Sequence, residues 1–279
     1  MTSLELRQNL ETLARKTNAG WLSSLNERKL KELEFHNRYR DNLVAEDLPK
    51  DTYEKIYGNK KFYRTVELSR NYVEHWIRQH CKGKIFLDYA CGNGANAIRA
   101  AKEGASLAVG IDISDISVEN ARKIALREGV AAHTFFLQGD CENTGLPDAC
   151  IDVAICSGVL HHLDLVCAFS ELSRILKRDG IILAIEALDY NPLIKLYRNM
   201  TPQMRTEWEK SHILSYRDLR LARKFFEVRN IKHWHLFSIA GAYAPSFLPF
   251  LNLLDRIFLK LPLIKMMSWM FTFELHKKG

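Results

Sequence analysis

An apolar strand that leads through an acidic residue into a glycine turn and a helix constrains this chain more than any other segment. It covers residues 84–99, and a second apolar run ends at Asp112. A strand, a turn and a helix in this order place backbone N–H groups beside a cavity at the carboxyl end of the strand. Asp112 closes the next strand at the same edge. The segment therefore predicts a pocket for a cofactor that contains a nucleoside.

Two kinds of cofactor fit this spacing. Gly92, Gly94 and Ala97 satisfy the dinucleotide pattern G-x-G-x-x-A, and Asp112 follows about 20 residues downstream, as that pattern expects. Asp88 stands immediately before the glycine turn, where its carboxylate would repel a pyrophosphate at close range in low dielectric. The same charge would attract a cofactor that carries an ammonium and a sulfonium but no phosphate. Charge therefore favours S-adenosylmethionine over a nicotinamide dinucleotide.

The turn resembles the first motif of the class I S-adenosylmethionine-dependent methyltransferases, which reads roughly apolar-apolar-Asp-x-Gly-x-Gly-x-Gly. The more specific resemblance is to the small-molecule methyltransferases of type 11, the UbiE-like group. Ala90 stands where the family usually has glycine, and its methyl group is expected to fit if φ stays below zero. The resemblance implies that Asp88 lies near the methionine amino group and that Asp112 takes the two ribose hydroxyls.

Further family elements follow in the expected order over residues 62–186. The resemblance implies that Asp140 approaches the adenine amine and that Cys141 lies beside the adenine ring. It also implies that the loop at Ser157 forms a wall of the site beside the reacting methyl group. The implied cofactor is S-adenosyl-L-methionine, with S-adenosyl-L-homocysteine as its product. The cofactor-binding residues that the resemblance implies are Asp88, Ala90, Cys91, Gly92, Gly94, Asp112, Ile113, Asp140, Cys141 and Ser157.

Alternating strands and helices predict an α/β fold with a doubly wound, Rossmann-like sheet of seven strands, mostly parallel with an antiparallel C-terminal strand. Strands are expected near 84–89, 107–112, 133–138, 150–156 and 181–187, and helices near 94–103, 115–128 and 165–178. A long strand over 225–241 and a last strand from 268 close the sheet. We expect a helical cap or lid at 1–60 and a cofactor-binding core at 61–279, with a substrate-side insertion at 187–224 and a helical insertion at 245–267.

Three histidines are candidates for catalysis. His161 and His162 follow the fourth strand, and histidine pKa values naturally lie near the working range of a general base. His36 lies where many methyltransferases of this class have an N-terminal lid helix. A base is needed only if the acceptor must lose a proton, because a sulfonium is already a good leaving group. The alternative is that these side chains pack their loops or face solvent.

Residues 186–212 resemble, less closely, small-molecule and glycan-pathway methyltransferases that carry Asn-Pro, Tyr-Arg, Thr-Pro, Arg-Thr and a late histidine after the fifth strand. Arg198 and Arg205, at helical separation, could bind a carboxylate or a phosphate through paired hydrogen bonds. Their alternative is a surface ion pair with Glu207 or Glu209. With the tyrosine beside the lid histidine included, the substrate-binding candidates are Tyr39, Tyr190, Tyr197, Arg198, Arg205 and His212.

Charge is distributed unevenly along the chain. The net formal charge of +7 divides into +5 over residues 1–85, −6 over 86–186 and +8 over 187–279. Basic flanks around an acidic core favour an anionic acceptor, although a lysine-rich solvated surface gives the same count. The chain has no recognisable RNA-binding module, and Ser157-Gly-Val-Leu stands where nucleic-acid methyltransferases carry Asn-Pro-Pro-Tyr or a close variant. We therefore expect a small-molecule acceptor and no nucleic acid.

The six cysteines form no C-x-x-C pair and are typical of reduced core thiols, so we expect a cytoplasmic protein without a bound metal. Neither a secretory signal nor a membrane-spanning segment is expected. In the C-terminal insertion, apolar and polar residues alternate at helical spacing. The face expected to pack on the core carries Phe250, Leu254, Ile257, Phe258 and Leu261, and the face expected to meet water carries Asn252, Asp255, Arg256 and Lys260.

A lipid-facing or oligomer-facing surface over 247–267, in a monomer or a homodimer, is the alternative for this insertion. Methyl transfer from S-adenosylmethionine to an oxygen, nitrogen or activated carbon of a small, anionic or lipid-like acceptor is the predicted function. A nucleic-acid methyltransferase, a nicotinamide-dependent oxidoreductase and a non-catalytic protein with the same cofactor fold stay open as alternatives, because fold does not determine function.

Overall fold

A seven-stranded mixed sheet organises the chain. The structure, a computed structural model, describes residues 1–16, 19–40 and 58–278. The strands lie in the order β3-β2-β1-β4-β5-β7-β6, and β7 runs antiparallel to both of its neighbours while β1 to β5 are parallel. The predicted fold class is thereby confirmed. The strands are β1 (Ile85–Tyr89), β2 (Leu107–Asp112), β3 (Thr134–Gln138), β4 (Ile151–Ser157), β5 (Leu176–Ala187), β6 (Phe226–Trp234) and β7 (Met270–Lys277).

Helices cover both faces of the sheet. On one face α4, α5 and α6 bury residues such as Trp76 and Ile98, and on the other α1, α7 and α10 bury residues such as Leu10 and Phe169. Numbered through the described residues, the helices are α1 (Ser3–Lys16), α2 (Ala19–Ser24), α3 (Glu27–Arg40), α4 (Glu67–His80), α5 (Ala95–Lys102), α6 (Asp115–Arg127), α7 (Leu165–Ile175), α8 (Pro192–Met200), α9 (Glu207–Ser211), α10 (Tyr216–Ala222) and α11 (Leu248–Phe258).

The N-terminal helix α1 packs against the β3 edge of the sheet. Leu6 and Leu10 are fully buried, and the Arg7 guanidinium donates to the backbone carbonyls of Ala132 at 2.7 Å and Thr134 at 3.2 Å. The division between cap and core near residue 60 stays a prediction, since residues 41–57 are outside the described part. Along the described chain, no helix has both the length and the apolar character that crossing a membrane requires.

Helix α7 ends at Ile175, three residues before the predicted end, because β5 already begins at Leu176. Leu176 pairs with Ile151 of β4, and a register shift follows before regular pairing resumes. Contacts with the Asp152 carboxylate stabilise this early start of β5. The Lys177 ammonium lies 2.9 Å from one oxygen of Asp152, and the other oxygen accepts the Ile85 N–H at 2.9 Å.

Strand β6 is shorter than the predicted strand over 225–241 and ends at Trp234. The next residue, His235, has a φ of +65°, which takes the backbone out of the extended conformation. Its ring is fully buried between two hydroxyls, with Nδ1 at 2.9 Å from Ser238 Oγ and Nε2 at 2.8 Å from Ser69 Oγ. The buried ring therefore replaces the last third of the expected strand with a turn and a short 3-10 helix.

The amphipathic assignment of helix α11 is wrong in part, because two of the four polar residues assigned to it lie inside and several of its apolar residues lie outside, while Arg256 and Lys260 are exposed as expected. Asn252 is 7% exposed and Asp255 is 1% exposed, whereas Phe250 is 56% and Ile257 is 52% exposed. A hydrophobic pattern alone assigns the opposite orientation.

The inverted orientation of α11 has a polar cause. Both oxygens of Asp255 accept backbone N–H groups of the turn after β6, from Leu236 at 3.1 Å, Phe237 at 2.7 Å and Ser238 at 3.2 Å. Buried N–H groups without a partner would each cost roughly 1–3 kcal/mol. Satisfying three of them keeps the carboxylate inside and leaves the apolar side of the helix towards solvent.

Candidate active site

The turn after β1 departs from expectation at Ala90. Its φ is +54°, in the left-handed region, rather than the negative value that was expected to accommodate alanine. The left-handed conformation costs an L-residue roughly 1–2 kcal/mol, and glycine avoids that cost. The turn therefore has the shape that favours the family glycine, and alanine occupies it under strain.

Asp88 supports this turn from the side of helix α5. Its carboxylate is 1% exposed and accepts hydrogen bonds from Asn96 Nδ2 at 3.3 Å and from the Ala97 N–H at 3.1 Å. Burial raises the pKa of the Asp88 carboxyl to about 7, although these hydrogen bonds oppose the increase. A carboxyl with this pKa carries only part of a negative charge at neutral pH. The preference for a cationic cofactor, which was inferred from the charge of Asp88, therefore has to rest on other acidic residues. The contact of Asp88 with the methionine amino group stays a prediction.

Asp112 is fixed at the end of β2 by the same turn. One oxygen accepts the Gly92 N–H at 2.7 Å, and the other accepts the Ser114 N–H at 2.9 Å. Ser114 in turn caps α6, since its hydroxyl accepts the Ser117 N–H at 3.0 Å. An ionised carboxylate has about four acceptor sites. Asp112 therefore keeps acceptor capacity for a pair of hydroxyl groups.

A first cavity opens at the carboxyl ends of the parallel strands, with a volume of about 690 Å³. Of the predicted cofactor-binding residues, Asp88, Cys91 and Gly94 do not line it. Gly94 instead begins α5 with a φ of +76°, and a side chain there would meet the ring of Phe136 at 2.6 Å. The predicted residues that do line it are Ala90, Gly92, Asp112, Ile113, Asp140, Cys141 and Ser157.

The donors and charges of the first cavity fit S-adenosylmethionine. Asp112 offers acceptors for a ribose diol, and Ile113 and Cys141 provide apolar walls for a flat base. Acidic residues outnumber Lys and Arg in the lining of this cavity, which favours a cationic cofactor over a pyrophosphate. The charge of the cavity thus takes the place of the charge of Asp88 in the argument for S-adenosylmethionine. Besides histidine, the ionisable residues of this cavity are Glu32, Asp112, Asp140, Glu142, Arg28 and Lys29.

Helix α3 covers the first cavity through ion pairs. The Lys29 ammonium lies 2.6 Å from Asp140 Oδ2 and 2.9 Å from Glu142 Oε2. Arg28 bonds Glu142 at 2.5 Å and donates to the backbone carbonyl of His162 at 2.9 Å. Burial alone would lower the pKa of Lys29, but its hydrogen bonds to the two acids raise it. Lys29 thus engages the carboxylate that the family resemblance assigns to adenine.

A second cavity of about 2060 Å³ adjoins the first. His36, Ser157, Gly158 and His162 line both cavities, so the two meet at the carboxyl end of β4. Much of the second cavity is apolar or aromatic. These wall residues are Phe35, Tyr63, Val66, Val73, Ile185, Ala187, Met204, Trp269 and Met270.

His161 borders the second cavity and is held by a buried carboxylate. Its Nδ1 lies 2.7 Å from Glu186 Oε2, and the other oxygen of Glu186 accepts the N–H groups of Val159 and Leu160 at 2.8 Å each. An ionised carboxylate only accepts, so Nδ1 carries the hydrogen and Nε2 of the neutral ring is an acceptor. Burial alone would lower the pKa of His161, but the charge of Glu186, its hydrogen bond and the charge of Glu209 together raise it.

His162 meets helix α3 at Glu32. Its Nδ1 lies 3.0 Å from Glu32 Oε2, His36 Nε2 lies 3.5 Å from the same oxygen, and Thr206 donates to Glu32 Oε1 at 2.5 Å. Burial would raise the pKa of Glu32, but the hydrogen bonds from the two histidines lower it well below its ordinary value. Burial and the neighbouring His161 lower the pKa of His162. The three histidines proposed from sequence are thus brought together, with ring centroids 4.3 and 4.9 Å apart.

Two of the substrate-binding candidates lie outside both cavities. The His212 ring is exposed and stacks on Trp208 at 3.7 Å, and the Tyr190 hydroxyl accepts the Tyr216 N–H at 3.0 Å at the start of α10. Tyr39 belongs to α3, but its side chain falls outside the described residues. The positions of His212 and Tyr190 explain the local packing of the insertion, and neither residue lines a cavity.

The other three candidates lie beside the second cavity without lining it. Arg205 Nε is 3.5 Å from Glu209 Oε1, which is the ion pair foreseen as the alternative, and Glu209 itself lines the second cavity. Arg198 lies 3.5 Å from Asp189. The Tyr197 hydroxyl faces the sulfur of Met204 at 3.8 Å. Arg205 therefore shapes the wall of the cavity through Glu209, whereas Asp189, the partner of Arg198, lines neither cavity.

Sequence reasoning assigned no site role to Glu32, Lys29 or Glu142. The signal for Glu32 is its spacing of four residues from His36, which places both side chains on one face of α3. For Lys29 and Glu142 no local signal exists, since the contact joins residues 113 positions apart in the sequence. Only the packing of α3 over the sheet brings them together.

Comparisons with known proteins find methyltransferases. A family described as "Methyltransferase domain" matches residues 87–184. A sterol 24-C-methyltransferase of Aspergillus fumigatus is 29% identical over 145 residues, which are 52% of this chain and 37% of that protein. A ribosomal protein L11 methyltransferase of Burkholderia cenocepacia is 44% identical over 78 residues, 28% of this chain and 23% of that protein. The chain thus spans well under half the length of either relative.

The fold has solved counterparts as well. The crystal structure of geranyl diphosphate C-methyltransferase from Streptomyces coelicolor, in complex with Mg²⁺, geranyl diphosphate and S-adenosyl-L-homocysteine, has a TM-score of 0.63 and 16% sequence identity over 91% of this chain and 98% of that chain. Residues 87–184 match a methyltransferase domain, and the fold is that of a solved S-adenosylhomocysteine-bound methyltransferase. The predicted family is confirmed, and so is S-adenosylmethionine as the cofactor of that family.

Proposed function

We propose that the protein transfers the methyl group of S-adenosylmethionine to a small, lipid-like acceptor at an oxygen, a nitrogen or an activated carbon. The observation that carries the proposal is the meeting of the two cavities at Ser157, Gly158 and His162. The first cavity has the donors and charges that fit the cofactor, and the second is larger and combines an apolar and aromatic wall with polar and charged groups. Ligands in the two cavities would have their reacting atoms at the shared wall, where proximity accelerates transfer.

The chain needs to orient the acceptor, exclude water and accept a proton. The bound cofactor supplies an electrophilic methyl group on a good leaving group. Helix α3 covers the junction of the cavities, since His36 lines both. Nε2 of His161 is the atom placed to take a proton from an acceptor hydroxyl or amine. Glu186 would then stabilise the imidazolium that forms, as a carboxylate does when it fixes the tautomer of a catalytic histidine.

The walls of the second cavity support an acceptor with an apolar body and an anionic group. Aromatic side chains such as Tyr63 and Trp269 offer large apolar contact areas, as ligand pockets usually do. Lys60, Arg70 and Arg99 also line this cavity, although Arg99 pairs with Glu74 at 2.8 Å. A lipid-like carboxylate or phosphate matches both the apolar walls and the positive charge.

The exposed side of α11 supports a membrane as the source of this acceptor. We define the apolar ridge as residues of α11 and its flanking segments that are 47–85% exposed, namely Phe247, Phe250, Leu253, Ile257, Leu261 and Leu263. Contiguous exposed apolar groups mark interaction sites more often than ordinary surface. Arg256 and Lys260 are exposed beside the ridge and match anionic headgroups.

Aromatic contacts connect the apolar ridge to the second cavity. Tyr243, which is 70% exposed, lies before α11, and its ring is 5.9 Å from Phe62. Phe62 lies 6.5 Å from Trp269, which lines the second cavity. A lipid-like acceptor could therefore pass from a bilayer to the cavity along apolar side chains. We infer that the ridge docks on an anionic bilayer.

Label transfer tests the proposed reaction. Purified protein is incubated with S-adenosylmethionine labelled on its methyl group and with separate lipid, small polar, RNA and protein fractions of a cell extract. The expected result is label in the lipid or small-molecule fraction, lost when S-adenosylhomocysteine is added in excess. Label confined to RNA or to protein would contradict the proposed acceptor class and favour a macromolecular substrate.

Vesicle binding tests the docking surface independently of turnover. Wild-type protein should co-sediment with vesicles that contain anionic lipid and much less with zwitterionic vesicles. Replacing Phe250 and Ile257 by serine should weaken binding at least about tenfold, because two large side chains no longer enter the interface. Leu126→Ser is the matched control, since Leu126 is 73% exposed on the distant helix α6. No vesicle binding, or a dimer that the double variant dissociates, would assign the ridge to another partner.

A further inference from the structure

One cluster of side chains at the junction of the cavities has the composition of a metal site. Glu32 and His36 project from one face of α3, four residues apart, and His162 faces them from the short 3-10 helix after β4. Glu32 Oε2 lies 3.0 Å from His162 Nδ1 and 3.5 Å from His36 Nε2. The three ligand atoms all lie within 4.8 Å of one another.

We propose that Glu32, His36 and His162 bind one divalent transition-metal ion. Two imidazoles and one carboxylate are a ligand set for Zn²⁺, Fe²⁺ and similar ions, whereas Ca²⁺ and Mg²⁺ prefer oxygen ligands alone. Three protein ligands leave a coordination position open, as catalytic metal sites do. The two separations from Glu32 Oε2, 3.0 Å to His162 and 3.5 Å to His36, already match those of neighbouring ligands around a small metal ion.

The surroundings of the cluster support a metal ligand role for Glu32. Its second oxygen accepts the Thr206 hydroxyl at 2.5 Å, which fixes the orientation of the carboxylate. Outer hydrogen bonds of this kind are a regular feature of metal sites. The side chains of Glu32 and His162 are 6% and 13% exposed, so their donors are kept from bulk water. Binding through Nδ1 would move the single N–H of the neutral His162 ring to Nε2, because a metal takes the place of the hydrogen on the ligand atom.

A second set of donors competes for the same histidine. His161, His162 and Glu209 also lie close enough to share an ion. In that set His161 Nε2 is 4.0 Å from Glu209 Oε1, and its Nδ1 already bonds Glu186. The Glu32 set has the shorter separations, and the Glu209 oxygen nearest to His161 is already paired with Arg205 at 3.5 Å. The geometry therefore points to the Glu32 set.

The position of the site gives it a role in the reaction. His36 and His162 line both cavities, so the open coordination position would face the place where cofactor and acceptor meet. A metal there would hold an oxygen of the acceptor and polarise it. This role rests on the proposed function, whereas metal binding itself does not. Measuring binding without turnover therefore separates failure of the metal site from failure of the methyltransferase proposal.

Cobalt binding tests the site directly. The full chain, free of any affinity tag, is stripped with a chelator and titrated with Co²⁺ while its visible ligand-field bands are recorded. All variants carry Cys167→Ser, because Cys167 is the exposed thiol among the described cysteines. We expect one Co²⁺ per chain and its displacement by Zn²⁺. Absence of saturable binding would overturn the proposal.

Matched variants assign the ligands. Glu32→Gln keeps the shape of the side chain and an acceptor for Thr206, so it tests the charge without deleting the packing. It should weaken Co²⁺ binding at least about tenfold, as should His36→Gln and His162→Gln. His133→Gln changes an exposed histidine elsewhere and should leave the affinity unchanged. Unchanged binding in Glu32→Gln together with loss in Glu209→Gln would overturn the assignment in favour of the other donor set. Circular dichroism checks that each variant folds.

Discussion

Nδ1 of His161 lies 2.7 Å from a carboxylate oxygen of Glu186, whose side chain is fully buried. This contact joins the loop after β4 to the end of β5 across the strands that flank the site. The other oxygen of Glu186 is occupied by two backbone N–H groups, so the carboxylate cannot turn away. The pair therefore presents Nε2 of His161 to the second cavity with a fixed tautomer, which is the geometry a general base requires.

Replacing His161 tests this pair. His161→Gln should lower the turnover number by about 10²- to 10⁴-fold, the range that positioned proton transfer usually contributes. The affinity for S-adenosylhomocysteine should stay within about twofold, because His161 does not line the first cavity. Timed assays of labelled methyl transfer measure the turnover number, and isothermal titration measures the affinity. His133→Gln serves as the control, and full activity of His161→Gln would remove the histidine from the mechanism.

Asp112 provides a test of the cofactor site. Asp112→Asn removes the charge that we expect to hold the ribose hydroxyls and should weaken binding of S-adenosylhomocysteine by about 1–3 kcal/mol. Isothermal titration gives the affinity, and denaturant unfolding checks that the loss of the bond to Gly92 leaves the fold intact. The exposed Asp179→Asn is the matched control. Equal affinities in Asp112→Asn and wild type would exclude the ribose role.

Much of the core could be predicted from sequence because the relevant patterns are local. The acid and glycine turn before α5, and Asp112 at the end of β2, depend on neighbours a few residues away. Helix α11 could not be oriented in this way, because Asp255 is drawn inside by N–H groups of a turn 17 to 19 residues earlier. Hydrophobic periodicity does not represent such polar demands.

The site shows the same division between local and distant contacts. The histidines after β4 could be proposed because they follow a strand that ends at the pocket. The role of Glu32 could not, since its partners His162 and Thr206 are 130 and 174 residues away. Ala90 was recognised as a departure from the family motif, but the condition set for its fit, a φ below zero, is not met. A residue type alone does not reveal a strained backbone.

The positive φ of Ala90 leads to a stability prediction. Ala90→Gly should raise the free energy of unfolding by about 0.5–1 kcal/mol, because relief of roughly 1–2 kcal/mol in the left-handed region exceeds the added freedom of glycine in the unfolded chain. Urea unfolding measures the change. Ala125→Gly, inside helix α6, is the control with opposite sign and should lower the stability by about 1 kcal/mol. A loss of stability in both variants would show that Ala90 is not strained.

His235 gives the protein a pH-dependent stability. Burial lowers its pKa to about 4 from an ordinary value of 6.5, with Asp255 acting to raise it and Arg70 to lower it. The ring is wedged between Ser69 and Ser238, so the folded protein binds a proton there less readily than the unfolded chain does. The stabilisation is therefore complete above about pH 6.5 and is lost as the pH falls towards about 4.

Denaturant unfolding at two pH values measures this linkage. Between pH 7.5 and pH 5, the stated pKa values correspond to a loss of about 2 kcal/mol from His235. His235→Asn keeps a residue that tolerates the left-handed backbone, which at this position has a φ of +65°. Over the same pH interval, the variant should therefore lose about 2 kcal/mol less stability than the wild type does, whatever its stability at pH 7.5. His133→Asn should follow the wild type. Parallel pH curves for wild type and His235→Asn would mean that the buried ring is not the group that titrates. The acid sensitivity of the fold would then arise outside the turn that ends β6.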